Sequence, residues 1–177
     1  MVTLFRKSGN LEVKLPEAWK VLQTIFREGH KGQRPVKNLL EQALEKPVDS
    51  RSLAQILRPK ASVAIVIDDL TRPTPVRELL PPLLGEIERQ GIPKEKVDIV
   101  IGVGTHRPLT QEEIQARCGG EIAGTYRIKN HDARSSDLVK VGEMPGYGPV
   151  FMNATVARAD IKITIGSILP HPHNGFG

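Results

Sequence analysis

The chain has 177 residues, 39% of them hydrophobic and 25% charged, which suits one soluble globular domain with a sizeable core. No apolar run approaches the roughly 20 residues that cross a bilayer, and the start, Met1 to Arg6, lacks the charged-then-apolar order of a secretory signal, so no membrane partner and a cytoplasmic location are expected. The formal charge of +5 comes from basic residues interleaved with acids and aromatics make up only 4%, so a nucleic-acid partner is not expected and an anionic small molecule fits better.

In chain order, residues 1–60 read as a strand/helix appendage packed on the same domain as the rest. Leu11 to Leu15 alternates apolar and polar positions, as a half-buried strand does. Pro16-Glu17 then opens a helical pattern through Trp19, Val21, Leu22 and Ile25, and residues 29–35 are loop-like in composition. Asp49-Ser50 can cap a helix carrying Leu53, Ile56 and Leu57, ending before Pro59.

From residue 61 to 177 the pattern becomes strand, helix, strand. Val63 to Ile67 is too continuously apolar for a sheet with one wet face and reads as a central parallel strand. A helix from about Val76 carries Leu79, Leu80, Leu83, Leu84 and Ile87 and stops at Gly91, with a kink or break expected at Pro81-Pro82. Val97 to Ile101 is the next buried strand. Thr110 with Glu113 forms a capping box for a short helix ending near Cys118-Gly119-Gly120. Tyr126 to Ile128 is a weaker strand, Leu138–Val141 and Val150–Met152 a hairpin-like pair, and Ile161 to Ile165 the last strand. This alternation predicts an α/β, Rossmann-like, mainly parallel sheet flanked by helices, with some antiparallel edge strands. The lone Cys118 has no disulfide partner and reads as an ordinary buried thiol.

Three polar clusters follow predicted core strands: Asp68 to Arg72, Gly102 to Arg107, and Pro170 to Gly175. Parallel strands deliver their carboxyl ends to one edge, so clusters distant in sequence can converge there. The turn Asp68-Asp69-Leu70-Thr71-Arg72-Pro73 admits two readings: acids capping the next helix, or an anion site built from a hydroxyl, a guanidinium and a helix N-terminus. Gly102-Val103-Gly104 is no dinucleotide fingerprint, because Arg107 stands where the third glycine belongs. His106, if functional, would transfer protons. His171 and His173 have the spacing of a metal pair on a strand, but two ligands make an incomplete site. His131 reads as a turn residue.

Asp68 to Pro73, Gly104-Thr105-His106-Arg107-Pro108, and Pro170-His171 followed by Gly175-Phe176 together resemble the N-terminal domain of the nickel-dependent lactate racemase family, in the family's order and across essentially this whole chain. The resemblance implies an isomerase that inverts the α-carbon of a 2-hydroxy acid by hydride transfer to a nickel-pincer nucleotide derived from nicotinic acid. It implies that Asp69, Leu70, Thr71 and Arg72 line the cofactor's phosphate region. It also makes His106 and His171 the two acid/base residues on opposite faces of the substrate. In the family a later lysine tethers the cofactor, a later histidine ligates nickel, and a C-terminal domain closes the cleft. All three lie beyond Gly177, so the expectation is a truncated member, inactive alone, that contains no nickel ligand. The alternative is a non-catalytic α/β module that binds a nucleotide or phosphorylated metabolite.

Overall fold

The computed structural model describes residues 2–4, 9–22, 35–171 and 175–176. The chain divides into two compact units, residues 1–33 and 34–177. In the first unit, β1 (Val2–Leu4) pairs antiparallel with β2 (Leu11–Val13), and Thr3 Oγ1 donates to Glu12 Oε1 at 2.7 Å. The expected strand therefore forms but ends at Val13. The helix expected from Pro16 does not form over the described residues 16–22. The Trp19 N–H closes a turn on the Pro16 carbonyl at 2.9 Å, and Trp19 and Leu22 are 68% and 89% exposed. A short helix is marginal in water unless tertiary packing buries its apolar stripe, and here the stripe stays open. The rest of that pattern and the expected loop up to residue 34 lie outside the described residues.

The second unit begins with two helices, α1 (Val36–Glu45) and α2 (Leu53–Ile56). The sequence reading left α1 unassigned, although Leu40 and Leu44, one turn apart, pack against the core. The cap of α2 is Ser52 rather than Asp49-Ser50: the Ser52 N–H donates to Gln55 Oε1 at 3.1 Å. Asp49, at φ 47°, belongs to the preceding turn.

Next come β3 (Val63–Asp68), α3 (Val76–Arg89), β4 (Val97–Gly102), α4 (Gln111–Cys118), α5 (Gly120–Thr125) and β5 (Arg127–Asn130). They are followed by β6 (Leu138–Met144), β7 (Gly148–Asn153), α6 (Ala154–Arg158), β8 (Ile161–Ile165), β9 (Pro170–His171) and β10 (Gly175–Phe176). The central sheet has the order β5-β4-β3-β8, and all its pairs are parallel. The expected antiparallel pairing is present as separate two-stranded ladders, β6 with β7 and β9 with β10.

Helix α3 runs through Pro81-Pro82 without a break. An interior proline costs roughly 3 kcal/mol relative to alanine. Against that stand Leu80, Leu83, Leu84 and Ile87, all buried, each stabilising by roughly 1.5–3 kcal/mol. Packing outweighs the missing N–H groups. Gly91, at φ 76°, ends the helix as expected.

The main core joins the odd-numbered strand residues Val63, Ile65, Ile67, Val97, Ile99, Ile101 and Ile161 to α3, α4 and α5. With four parallel strands ending together, the loops after Asp68, Gly102, Asn130 and Ile165 open at one edge of the sheet. That edge carries the clusters after Asp68 and Gly102, whereas Pro170 and His171 lie in the separate β9–β10 ladder.

Candidate active site

The turn after β3 is organised by Asp69, which is only 5% exposed. Its Oδ1 accepts from the Thr71 N–H at 2.9 Å and from the Thr71 hydroxyl at 2.6 Å. Its Oδ2 lies 2.6 Å from His106 Nδ1 in the loop after β4. Burial alone would raise the Asp69 pKa. The hydrogen bonds from Thr71 and His106 outweigh that effect and hold it below its ordinary value of 3.8. Asp69 is therefore an ionised acceptor at neutral pH. It assigns the Nδ1 proton to His106 and leaves Nε2 as the basic nitrogen. The imidazole is 56% exposed, so Nε2 is open to a reactant.

The loop carrying His106 is held from several sides. Gly104 turns it through φ 58°, a conformation that suits glycine, and the His106 N–H donates to the Val103 carbonyl at 2.9 Å. Arg107 forms a fork on Glu113, with Nη1 and Nη2 at 2.8 and 2.6 Å. The expected Thr110–Glu113 capping box closes behind it. Asn130 accepts from the Leu109 N–H at 2.9 Å and donates to its carbonyl at 3.0 Å. A cavity of about 640 Å³ opens beside His106, lined by residues 104–108 and 130–134. The His131 N–H donates to the Ile101 carbonyl at 2.8 Å, which ties this loop to the end of β4.

Of the residues expected to line a phosphate region, Leu70, Thr71 and Arg72 are exposed. Thr71 commits its hydroxyl proton to Asp69. Among the described residues the Arg72 guanidinium makes no ion pair. Asp68 has other partners. Its carboxylate accepts from Arg117 Nη2 and from the Thr74 hydroxyl, and Thr74 Oγ1 lies 2.6 Å from Ser167 Oγ in the segment after β8. The sequence reading missed Arg117, Thr74 and Ser167. A basic residue in the last turn of a short helix carries no signal that separates it from an ordinary charge favouring the helix dipole.

The backbone of His171 lies in β9, opposite Gly175 of β10. Its side chain, and all of His173, lie outside the described residues. Among the described residues no three His, Cys, Asp or Glu side chains gather as a metal site. Cys118 is fully buried and burial pushes its thiol up to about 11, so it is no nucleophile at neutral pH. No helix among the described residues is long and apolar enough to cross a membrane.

In a parallel α/β domain the carboxyl edge of the strands, which here carries the Asp69–His106 pair, is where ligands bind. Comparison with known proteins is more specific: residues 7–177 match the lactate racemase N-terminal domain, and the chain belongs to that family. It is 32% identical over 159 residues to a lactate racemase of Thermoanaerobacterium thermosaccharolyticum, an alignment covering 88% of this chain and 37% of that protein. It is 33% identical over 138 residues to a lactate racemase of Lactiplantibacillus plantarum, covering 77% of this chain and 32% of the relative. The solved lactate racemase apoprotein from T. thermosaccharolyticum superposes with a TM-score of 0.74 at 31% identity, over 80% of this chain and 34% of that one. A Thermotoga maritima protein shares the fold, with a TM-score of 0.63 at 22% identity, over 79% of this chain and 35% of that one. The chain thus spans about a third of the length of these relatives.

Proposed function

We propose that this chain supplies the acid/base half of an enzyme that inverts the α-carbon of a 2-hydroxy acid. The observation that carries the reading is the Asp69–His106 contact of 2.6 Å, which leaves Nε2 exposed at the carboxyl edge of the sheet. Family membership supports the same reaction class. His106 Nε2 takes the proton of the substrate hydroxyl, and Asp69 stabilises the imidazolium that results. For the mirror-image substrate, whose hydroxyl is presented from the other side, the second base is His171.

The family's cofactor, a nickel-pincer nucleotide, fits the turn after β3 in its nucleotide part. The exposed Leu70 offers an apolar contact, and the Arg72 guanidinium, without an ion pair among the described residues, a phosphate partner. When bound, that group supplies the hydride acceptor. In this reading the chain's own described residues hold the nucleotide and move protons. Asp69, whose Oδ1 accepts from Thr71 and whose Oδ2 meets His106, orients the base from within that same turn.

The test is racemisation of single-enantiomer 2-hydroxy acids by a protein of the family's full length carrying this domain, followed by chiral chromatography. His106→Gln should lower kcat by about 10²–10⁴-fold, the usual contribution of a positioned acid/base group. Arg72→Ala should weaken binding of nicotinate mononucleotide, used as a probe. A full rate with His106→Gln would remove the catalytic reading. Nucleotide binding without racemisation would leave the non-catalytic module.

A further inference from the structure

Arg117 sits in the last turn of α4, where a basic side chain usually reaches into water. Here the side chain is 10% exposed. Its Nη2 donates to Asp68 Oδ1, and its Nη1 donates to the Arg72 carbonyl at 3.3 Å. Its Nε is buried without a partner. Buried donors are rarely left unpaired, so the place of this guanidinium is set by its two Nη contacts and not by satisfying every N–H. Those contacts fall on the two ends of the segment 68–72, which carries Asp69, Leu70 and Thr71 between them. The other oxygen of Asp68 accepts from Thr74, itself 2% exposed, and Thr74 contacts Ser167 on the segment leading from β8 to His171.

The geometry points to Arg117 as a positioning residue for the acid/base site: one guanidinium bridges the ends of the turn that presents Asp69 to His106, and its Asp68 partner links that turn through Thr74 to Ser167, on the segment that leads from β8 towards His171. The assignment rests on the proposed function for its meaning, not for its geometry. Arg117 touches no reactant; it acts through Asp69. A planar fork suits this task because its two donors point to two separate acceptors. Lysine, a compact point charge, can pair with Asp68 but does not reproduce the fork.

Three measurements on the 177-residue chain test this in Arg117→Lys and Arg117→Gln: urea unfolding, amide exchange at Thr71, and titration of the Asp69 carboxyl by carbon NMR. The Thr71 amide is protected only through Asp69, so it reports the turn and not the core. In Arg117→Lys, which keeps the charge and loses the bridge, the Thr71 amide should exchange at least about tenfold faster, as a locally opened segment does. The Asp69 carboxyl should then titrate at higher pH, nearer its ordinary value, while the Ile99 amide in the core stays protected. If both variants lower the unfolding midpoint but leave Thr71 exchange and Asp69 titration unchanged, Arg117 is only a strut of the fold and the proposal fails. If Arg117→Lys behaves as wild type and only Arg117→Gln changes, charge suffices and the bridging assignment fails. Should Arg117→Gln not fold, Arg117→Lys carries the test. Neither readout uses substrate or nucleotide, so a failure of the hydroxy-acid reading shows separately, as a full-length protein that does not racemise.

Discussion

The two faces of the central sheet are covered by different material. Odd-numbered residues such as Ile65, Ile67, Ile99 and Ile101 meet α3, α4 and α5 in a continuous core of large aliphatic side chains. Even-numbered ones, Ala64 and Val100, form a smaller cluster with Val156 and Ala159 around the five-residue α6, with Val66 and Met152 partly buried beside them. In a parallel strand both faces are apolar, so the run Val63 to Ile67 looks uniform in sequence. The difference lies in side-chain size. Isoleucines fill the space to a long helix on one face, and Ala64 lets the short α6 come close on the other.

The sharpest test of this asymmetry is truncation on the thick face. Ile65→Ala removes a fully buried side chain and should cost about 2–5 kcal/mol in urea unfolding. The thin face should fail in the opposite sense: Ala64→Leu, at a position 0% exposed, should cost about 1–3 kcal/mol by overpacking against α6. A neutral Ala64→Leu would mean that α6 is free to move away, and the comparison would break. A smaller effect comes from the cap of α6. Asn153 Oδ1 accepts from the Thr155 N–H at 3.0 Å and the Val156 N–H at 3.4 Å, so Asn153→Ala should cost about 1 kcal/mol in the same assay.

The smallest effect is one of pH, at the α4 start. Hydrogen bonds from Arg107 and from the Thr110 N–H lower Glu113 from its ordinary 4.5 to about 2. A carboxyl whose folded pKa is depressed stabilises the fold fully above its unfolded value and loses that contribution as pH falls through the folded one. Amide exchange at Glu113, corrected for the intrinsic pH dependence of exchange, should therefore rise as pH falls from about 4.5 towards 2. Glu113→Gln should abolish that dependence. A flat profile in the wild type would show that the Arg107 fork does not hold the His106 loop.

Much of this was legible from residues alone, and where it was, local physics was sufficient. Four core strands were readable because β-branched runs bounded by turn residues leave few alternatives. The Thr110–Glu113 box was readable because both partners lie within one turn of helix. The turn after β3 was readable as a site but not as a mechanism: nothing in Asp68-Asp69 says which acid turns to His106 and which to Arg117. Helix α1 was missed because its stripe makes sense only against α3. The helix expected from Pro16 carries a similar stripe, and over residues 16–22 that stripe stays open.

By itself the sequence determined the parallel α/β class, the polar strand ends after β3 and β4 and the family they resemble, because periodicity, caps and short motifs are local properties. Only the tertiary structure decided that Asp69 and not Asp68 orients His106, and that Arg117 bridges the ends of their turn. These contacts join residues 37, 45 and 49 positions apart. Which acceptor a side chain reaches over such separations follows from how the strands align and how the helices pack, not from its neighbours in the chain.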